Sequence, residues 1–436
     1  SCSMASPAIS PAEAATHRPR SWSRILRLQL FRAVAVVGGL VLAVLLVEGN
    51  LRLFPQLFSR EVMDWAFSRY DTLPGGIYVK ERSTRMRFMR ADFSTHTYSH
   101  GYWWTHRTDS LGFRNPPEIN DRRVLLLGDS LVYGHGVEEE DTVAHFLRSE
   151  HGVSAYNMAS QGQCLYEHYV LLRLYLDRLQ PETVVLFVFL NDFRDLEKKR
   201  TEGEIKKIPE LRRNDYEEVL ARVDVLKNER PRWLQRTALE LGGVRLATKW
   251  YQQRARAQRQ GQTSVTSPTG QTTAKAAARA EVRPATPRAT PEPRTPGAMP
   301  KGKQARDLRR LRASPHRVET AVMIPERFRP IARYYNQVLL DMARRCEERG
   351  VRLVVIQLFL PKEDSRSPIQ VRAQRKLHSM LLKIADHHDL ELHDTEASYT
   401  DAEETCFLPH DGHLNSEGHR RLAAFLATEV LQSSGE

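Results

Sequence analysis

The sequence predicts an α/β fold, a parallel five-stranded sheet with helices on both faces, preceded by one apolar helix and interrupted by an insertion. Three observations predict it. Unbroken apolar runs at 124–127 and 184–190 read as strands covered on both faces, because such a strand has no need of alternation. Stretches with helical spacing separate these runs, which makes crossover units and therefore parallel strands. Both runs stop abruptly at polar residues, Gly128-Asp129-Ser130 and Asn191-Asp192, placing those residues at the carboxyl ends of strands, where open α/β sheets keep their sites.

The chain has 436 residues, enough to bury a substantial core as one enlarged α/β domain with appendages. Lys and Arg number 65 against 53 Asp and Glu, a net charge of +12, which favours contact with an anionic polymer or membrane surface if the excess is concentrated. Cys2, Cys164, Cys346 and Cys406 have no metal-ligand spacing and no disulfide framework. No metal, cofactor or nucleic-acid partner is expected.

Residues 1–32 are polar and basic (Arg18, Arg20, Arg24, Arg27, Arg32) and read as a cytoplasmic tail. The apolar run from Ala33 to Val47 rises only about 22 Å as a helix, so Leu28, Leu30, Phe31, Leu51, Leu53 and Phe54 are expected to help it cross the roughly 30 Å hydrocarbon layer, with Arg32 and Glu48 snorkelling. No small-residue cleavage site comes after Val47, so 33–54 reads as an uncleaved transmembrane signal anchor. The arginines ahead of the span place the chain beyond residue 54 outside the cytoplasm, on the periplasmic side of the inner membrane. Residues 55–107 form an extracytoplasmic lead segment mixing aromatics with arginines, expected to pack blandly against the main domain.

The main domain is expected in two parts, 108–250 and 316–436. After the 124–127 strand, 139–150 has helical spacing, 153–156 is a short strand, 166–179 is helical with Leu171, Leu174, Tyr175 and Leu179 on one stripe, and 184–190 is the third strand. Later come a helix at 328–349, a strand at 351–359, a helix at 370–387, a strand at 390–393 and a closing helix at 416–432. Between Tyr251 and Phe328 there is no aromatic residue, while Pro284, Pro287, Pro291, Pro293, Pro296 and Pro300 alternate with Thr, Ala, Arg and Lys. Such a composition cannot offset ordering entropy, so 251–315 is expected to be a disordered basic insertion. A solvated linker is its preferred reading, and a tether for anionic polymer or lipid headgroups the other.

Gly128 is expected to allow an unusual backbone, and Asp129 to hold the turn by hydrogen bonding. Ser130 comes after the first strand, Gly162 after the second and Asn191 after the third, and His410-Asp411-Gly412-His413-Leu414-Asn415 opens the last helix. In these blocks, from about Thr108 to Leu431 without the insertion, the chain resembles the SGNH hydrolases, the GDSL esterase and lipase family. The resemblance implies a flavodoxin-like three-layer fold and serine-dependent acyl chemistry. Ser130 would be the nucleophile, His413 its base, and Asp411 the carboxylate orienting the base. The backbone N–H groups of Ser130 and Gly162 and the amide of Asn191 would face the oxyanion. Two departures stand out: the family's aspartate lies three residues before its histidine, where His410 is found here, and Phe189 replaces a glycine before Asn191. His410 and His419 are rival bases. A membrane-anchored member outside the cytoplasm implies O-acetyl or other acyl esters of envelope or secreted polysaccharide as substrate, with ester hydrolysis as the activity. The alternatives are an O-acetyltransferase using the same triad, and an inactive polysaccharide-binding or export module.

Overall fold

The computed structural model describes residues 20–117, 119–213, 215–230, 233–263, 329–359, 368–399, 406–409 and 411–432. Five strands form the central sheet: β5 (Val124–Leu127), β6 (Ala155–Asn157), β7 (Thr183–Val188), β8 (Arg352–Gln357) and β9 (Glu391–Asp394). They lie in the order β6-β5-β7-β8-β9, all parallel. Counted along the sheet strands alone this is 2-1-3-4-5, the flavodoxin-like order. The expected α/β architecture is therefore what the chain adopts.

Burial explains the apolar runs. All of β5 and β7 is buried, and the side chains from Val184 to Val188 are each at most 2% exposed. Removing each from water contributes about 1.5–3 kcal/mol. The edge strand β9 is half-buried throughout and reads Glu-Leu-His-Asp, in keeping with one solvated side. Strands end slightly earlier than expected, β7 at Val188 and β8 at Gln357, although Leu358 N still donates to Val188 O at 2.9 Å. The closing helix Ser416–Phe425 is capped by Asn415, whose Oδ1 accepts from Gly418 N at 3.0 Å, and it widens into a π turn over Leu426–Leu431.

The lead segment is more ordered than expected from its composition. It forms a helix, Arg60–Phe67, and two antiparallel hairpins, β1 (Tyr78–Lys80) with β2 (Arg87–Met89) and β3 (Ser94–Ser99) with β4 (Tyr102–Arg107). The β4 sequence puts an aromatic on each face, but burial still alternates, with Trp104 and His106 buried and Trp103 and Arg107 exposed.

The amino-terminal helix Arg20–Leu53 contains a stretch, Leu26–Leu53, long and apolar enough to cross a membrane, and its most apolar 18-residue window has mean hydropathy 2.6 with no residue buried. Its far end differs from expectation. Leu51 is 1% exposed and joins Met63, Ala66, Phe67 and Tyr98 in a small second core. Glu48 is buried too, pairing with Arg52 at 2.5 Å and accepting from Gly243 N at 3.2 Å. These residues seat the helix on the protein instead of extending its exposed apolar run.

Contacts divide the chain into one unit of 1–252 with 330–436 and another of 253–329. The helix Gly242–Thr263 runs through the first residues of the expected insertion, because Gln, Arg and Ala at 252–259 are good helix formers. Residues 264–328, and with them the expected disorder of the insertion and the basic run Lys301 to Arg312, lie outside the described residues.

Candidate active site

The carboxyl edge of the sheet gathers the residues singled out above. After β5 the chain makes the short helix Ser130–Tyr133, and Asp129 holds the turn: its Oδ1 accepts from Leu131 N at 2.9 Å and its Oδ2 from Asn191 Nδ2 at 2.8 Å. Gly128 plays a different part from the one expected. Its φ is not in the left-handed region; a Cβ there would lie 2.6 Å from Val132 Cγ2, so space rather than backbone freedom requires glycine. The loop after β6 is pinned beside this turn by Ser160 N donating to Gly128 O at 3.2 Å, and Gly162 in that loop has φ +65°, the left-handed region glycine tolerates best.

His413 reaches Ser130 from the other end of the chain. Residues 406–409 and 411–415 pair with each other: Phe407 and Leu414 form a β-bridge, Leu408 N donates to His413 O at 2.9 Å, and Asn415 N to Cys406 O at 3.0 Å. Within this turn Asp411 Oδ1 accepts from His413 N at 3.3 Å and from the ring of the same residue, His413 Nδ1, at 2.6 Å. The carboxylate thus curls over two residues as in an Asx turn, which is how the short Asp-Gly-His spacing still brings it to the imidazole. His413 Nε2 lies 2.8 Å from Ser130 Oγ.

Burial alone would raise the Asp411 carboxyl, but the hydrogen bond and charge of His413 outweigh it and hold it at about 2. An ionised carboxylate only accepts, so the ring proton sits on Nδ1, Nε2 is the acceptor, and the Ser130 hydroxyl donates to it. Proton transfer from serine to imidazole has its path and its counter-charge in place.

The two rival bases fare differently. His419 is fully buried with neither ring nitrogen hydrogen-bonded, and burial pushes it down to about 3. It belongs to the core of the last helix and makes no hydrogen bond to Ser130. His410 lies outside the described residues. Phe189 packs against the main core and gives its backbone N–H to Asp192 Oδ2 at 2.9 Å, so the ring in place of glycine is absorbed by packing. Asp192 and Asp129 are both buried, and burial first, then mutual repulsion for Asp192, raises both carboxyls.

Asn191 spends one of its two amide protons on Asp129 and keeps the other. The helix it opens, Asn191–Thr201, carries Lys199, whose Nζ donates to Gly162 O at 2.8 Å and to Glu167 Oε1 at 2.6 Å. One helix therefore touches both candidate oxyanion donors beyond Ser130. Sequence reasoning passed over Lys199, although its place two turns after Asn191 on the same helix face was a usable signal.

It also passed over the wall that the lead segment builds. His135, five residues after Ser130, stacks on His413 with ring centroids 4.1 Å apart, and Trp104 of β4 lies 4.8 Å from it. Gln161 Nε2 donates to His135 Nδ1 at 2.8 Å and to Tyr70 Oη at 2.9 Å. Tyr102 Oη donates to Pro409 O, bracing the turn that bears Asp411. His100, in the β3–β4 turn, comes within 3.6 Å of Asp411 Oδ2. The segment expected to pack blandly thus lines the site, through Tyr70 and the β3–β4 hairpin.

No family model matches the chain, and no curated protein does. Among solved structures it is similar to a G-D-S-L family protein from Desulfitobacterium hafniense DCB-2, 11% identical, covering 72% of this chain and 100% of that one at a TM-score of 0.34. It is similar also to the psychrotrophic esterase EstA from Pseudoalteromonas sp., 9% identical over 71% and 98% of the two chains at a TM-score of 0.34. A third is an acetylxylan esterase from Geobacillus stearothermophilus, 10% identical over 71% and 94% at a TM-score of 0.34. The fold assignment rests on the five-stranded sheet itself.

Proposed function

We propose that the chain is a serine-dependent ester hydrolase that removes acyl groups, O-acetyl above all, from envelope or secreted polysaccharide. One observation carries the reading: an unbroken line of hydrogen bonds from Ser130 Oγ through His413 to Asp411. In this reading His413 takes the serine proton as Oγ attacks the ester carbonyl, and the imidazolium so formed faces the Asp411 carboxylate. The same histidine then returns the proton to the leaving sugar oxygen, and a water repeats the cycle to release the acid. The backbone N–H groups of Ser130 and Gly162 and the free proton of the Asn191 amide receive the oxyanion.

The amino-terminal helix serves in this reading as the membrane anchor, and the buried seat of Leu51 and Glu48 supports a catalytic domain held close to the outer face of the inner membrane. A membrane-impermeant fluorophosphonate applied to spheroplasts expressing the full chain tests activity and side together. Labelling of wild type but not of Ser130→Ala is expected. Labelling only after lysis would reverse the topology, and no Ser130-dependent labelling at all would dismiss the enzyme.

A further inference from the structure

Two buried polar atoms beside the triad have no hydrogen-bond partner, and they face each other. His135 is 2% exposed, and its Nε2 lies 3.6 Å from Asp411 Oδ2, itself buried and unpartnered. His100 Nδ1 approaches the same oxygen at 3.6 Å from the solvent side. All three atoms lie within 4.8 Å of one another. A separation of 3.6 Å is too long for a hydrogen bond and forces an acute angle on a bridging water. At the ~2.1 Å bonds usual for nitrogen and oxygen on a first-row dication it subtends roughly 120°, close to tetrahedral.

We propose that His100 Nδ1, His135 Nε2 and Asp411 Oδ2 form a site for a first-row divalent transition cation, with the fourth position open to water, and that its occupancy silences the triad. Two imidazoles and one carboxylate suit zinc, cobalt or nickel better than magnesium or calcium, which prefer all-oxygen shells. With the metal on Nε2, the His135 ring proton moves to Nδ1. The Gln161 amide, already within hydrogen-bond distance of both His135 Nδ1 and Tyr70 Oη, turns so that its oxygen accepts from each, fixing the ligand ring as outer partners of metal-bound histidines do.

Inhibition arises from the division of labour on one carboxylate. Oδ1 holds His413 and supplies the negative charge that the imidazolium needs, while a dication on Oδ2 withdraws that charge. The ligands come from the β3–β4 turn, the residues just after the nucleophile, and the turn before the last helix, so cysteine spacing held no trace of them.

The silencing rests on the esterase reading; the binding does not. The test is calorimetric titration of zinc chloride into the purified full chain in detergent, beside ester turnover with and without zinc. His100→Asn is the variant, because asparagine tolerates the φ of +52° at this position and His100 takes no part in the triad. One zinc per chain is expected, weakened at least about tenfold in His100→Asn, whose turnover with zinc is compared with its own metal-free turnover. Wild-type turnover should fall at least about tenfold at saturating zinc, recover with EDTA, and need correspondingly more zinc in the variant. Absence of zinc binding, or undiminished binding by His100→Asn, would overturn the site. Zinc bound through His100 without loss of turnover would overturn the silencing alone. A chain that binds zinc through His100 yet hydrolyses no ester would leave the site standing and remove the esterase reading.

Discussion

At the residue scale the Asp411-Gly412-His413 turn assigns unequal weights to its members. Because Asp411 grips both the backbone and the ring of His413, its loss removes orientation and counter-charge but not the base. Ser130→Ala and His413→Ala should each lower kcat/KM for a soluble ester by about 10⁴ or more, and Asp411→Ala by about 10²–10³. Asn191→Ala should cost about 10²–10³ in kcat with little change in KM, as expected of a donor that acts only on the developing charge. His419→Ala, buried without a hydrogen bond to the serine, should leave catalysis intact and register in stability instead. A His419 variant as inactive as Ser130→Ala at unchanged melting temperature would reassign the base. Ser130 stood out in the sequence because it follows an apolar strand, and His413 because it lies just ahead of the last helix; the hydrogen bond from His413 to Asp411 depends on a turn geometry that the two-residue spacing alone does not encode.

At the scale of elements, the Asn191–Thr201 helix links the two loops that would stabilise the oxyanion, Asn191 at its start and Lys199 holding the Gly162 loop near its end. Burial would lower the Lys199 ammonium, but the Glu167 carboxylate outweighs it and raises it, so the clamp stays charged at neutral pH. Lys199→Met should loosen the Gly162 loop and lower kcat about tenfold while fluorophosphonate still labels Ser130 at a measurable rate. Partial recovery in Lys199→Arg would mark positioning; a KM effect with unchanged kcat would point instead to a substrate contact. The central strands β5 and β7 were readable from unbroken apolar runs, whereas the hairpins of the lead segment were not. Their strands, such as Tyr102-Trp103-Trp104-Thr105-His106-Arg107, place aromatic and polar side chains on both faces, and no period separates them from loop.

At the scale of the whole molecule, four histidines are held neutral inside the protein. Burial lowers His106, His135 and His419 to about 3 and His168 to about 4. Their folded values lie below the ordinary histidine value, so the stability they permit is complete above about pH 6.5 and is lost as pH falls toward 3–4, where the unfolded chain binds the protons first. Unfolding at pH 5 should therefore take up about four protons from these groups, and the fall in melting temperature from pH 7 to pH 5 should be shallower in His168→Phe than in wild type. An unchanged slope would mean that His168 titrates normally in the folded state. The parallel sheet has a consequence of another kind. In the proposed function the nucleophile Ser130 follows the first strand of the central sheet and the base His413 precedes the closing helix, with β8 and β9 encoded only after residues 264–328. A chain emerging from the ribosome or through a translocation pore displays Ser130 long before His413 exists, so the proposed esterase stays inert until synthesis is complete. For the same reason neither 20–263 nor 329–432 alone contains all three residues of the proposed triad, and β7 of the first pairs with β8 of the second.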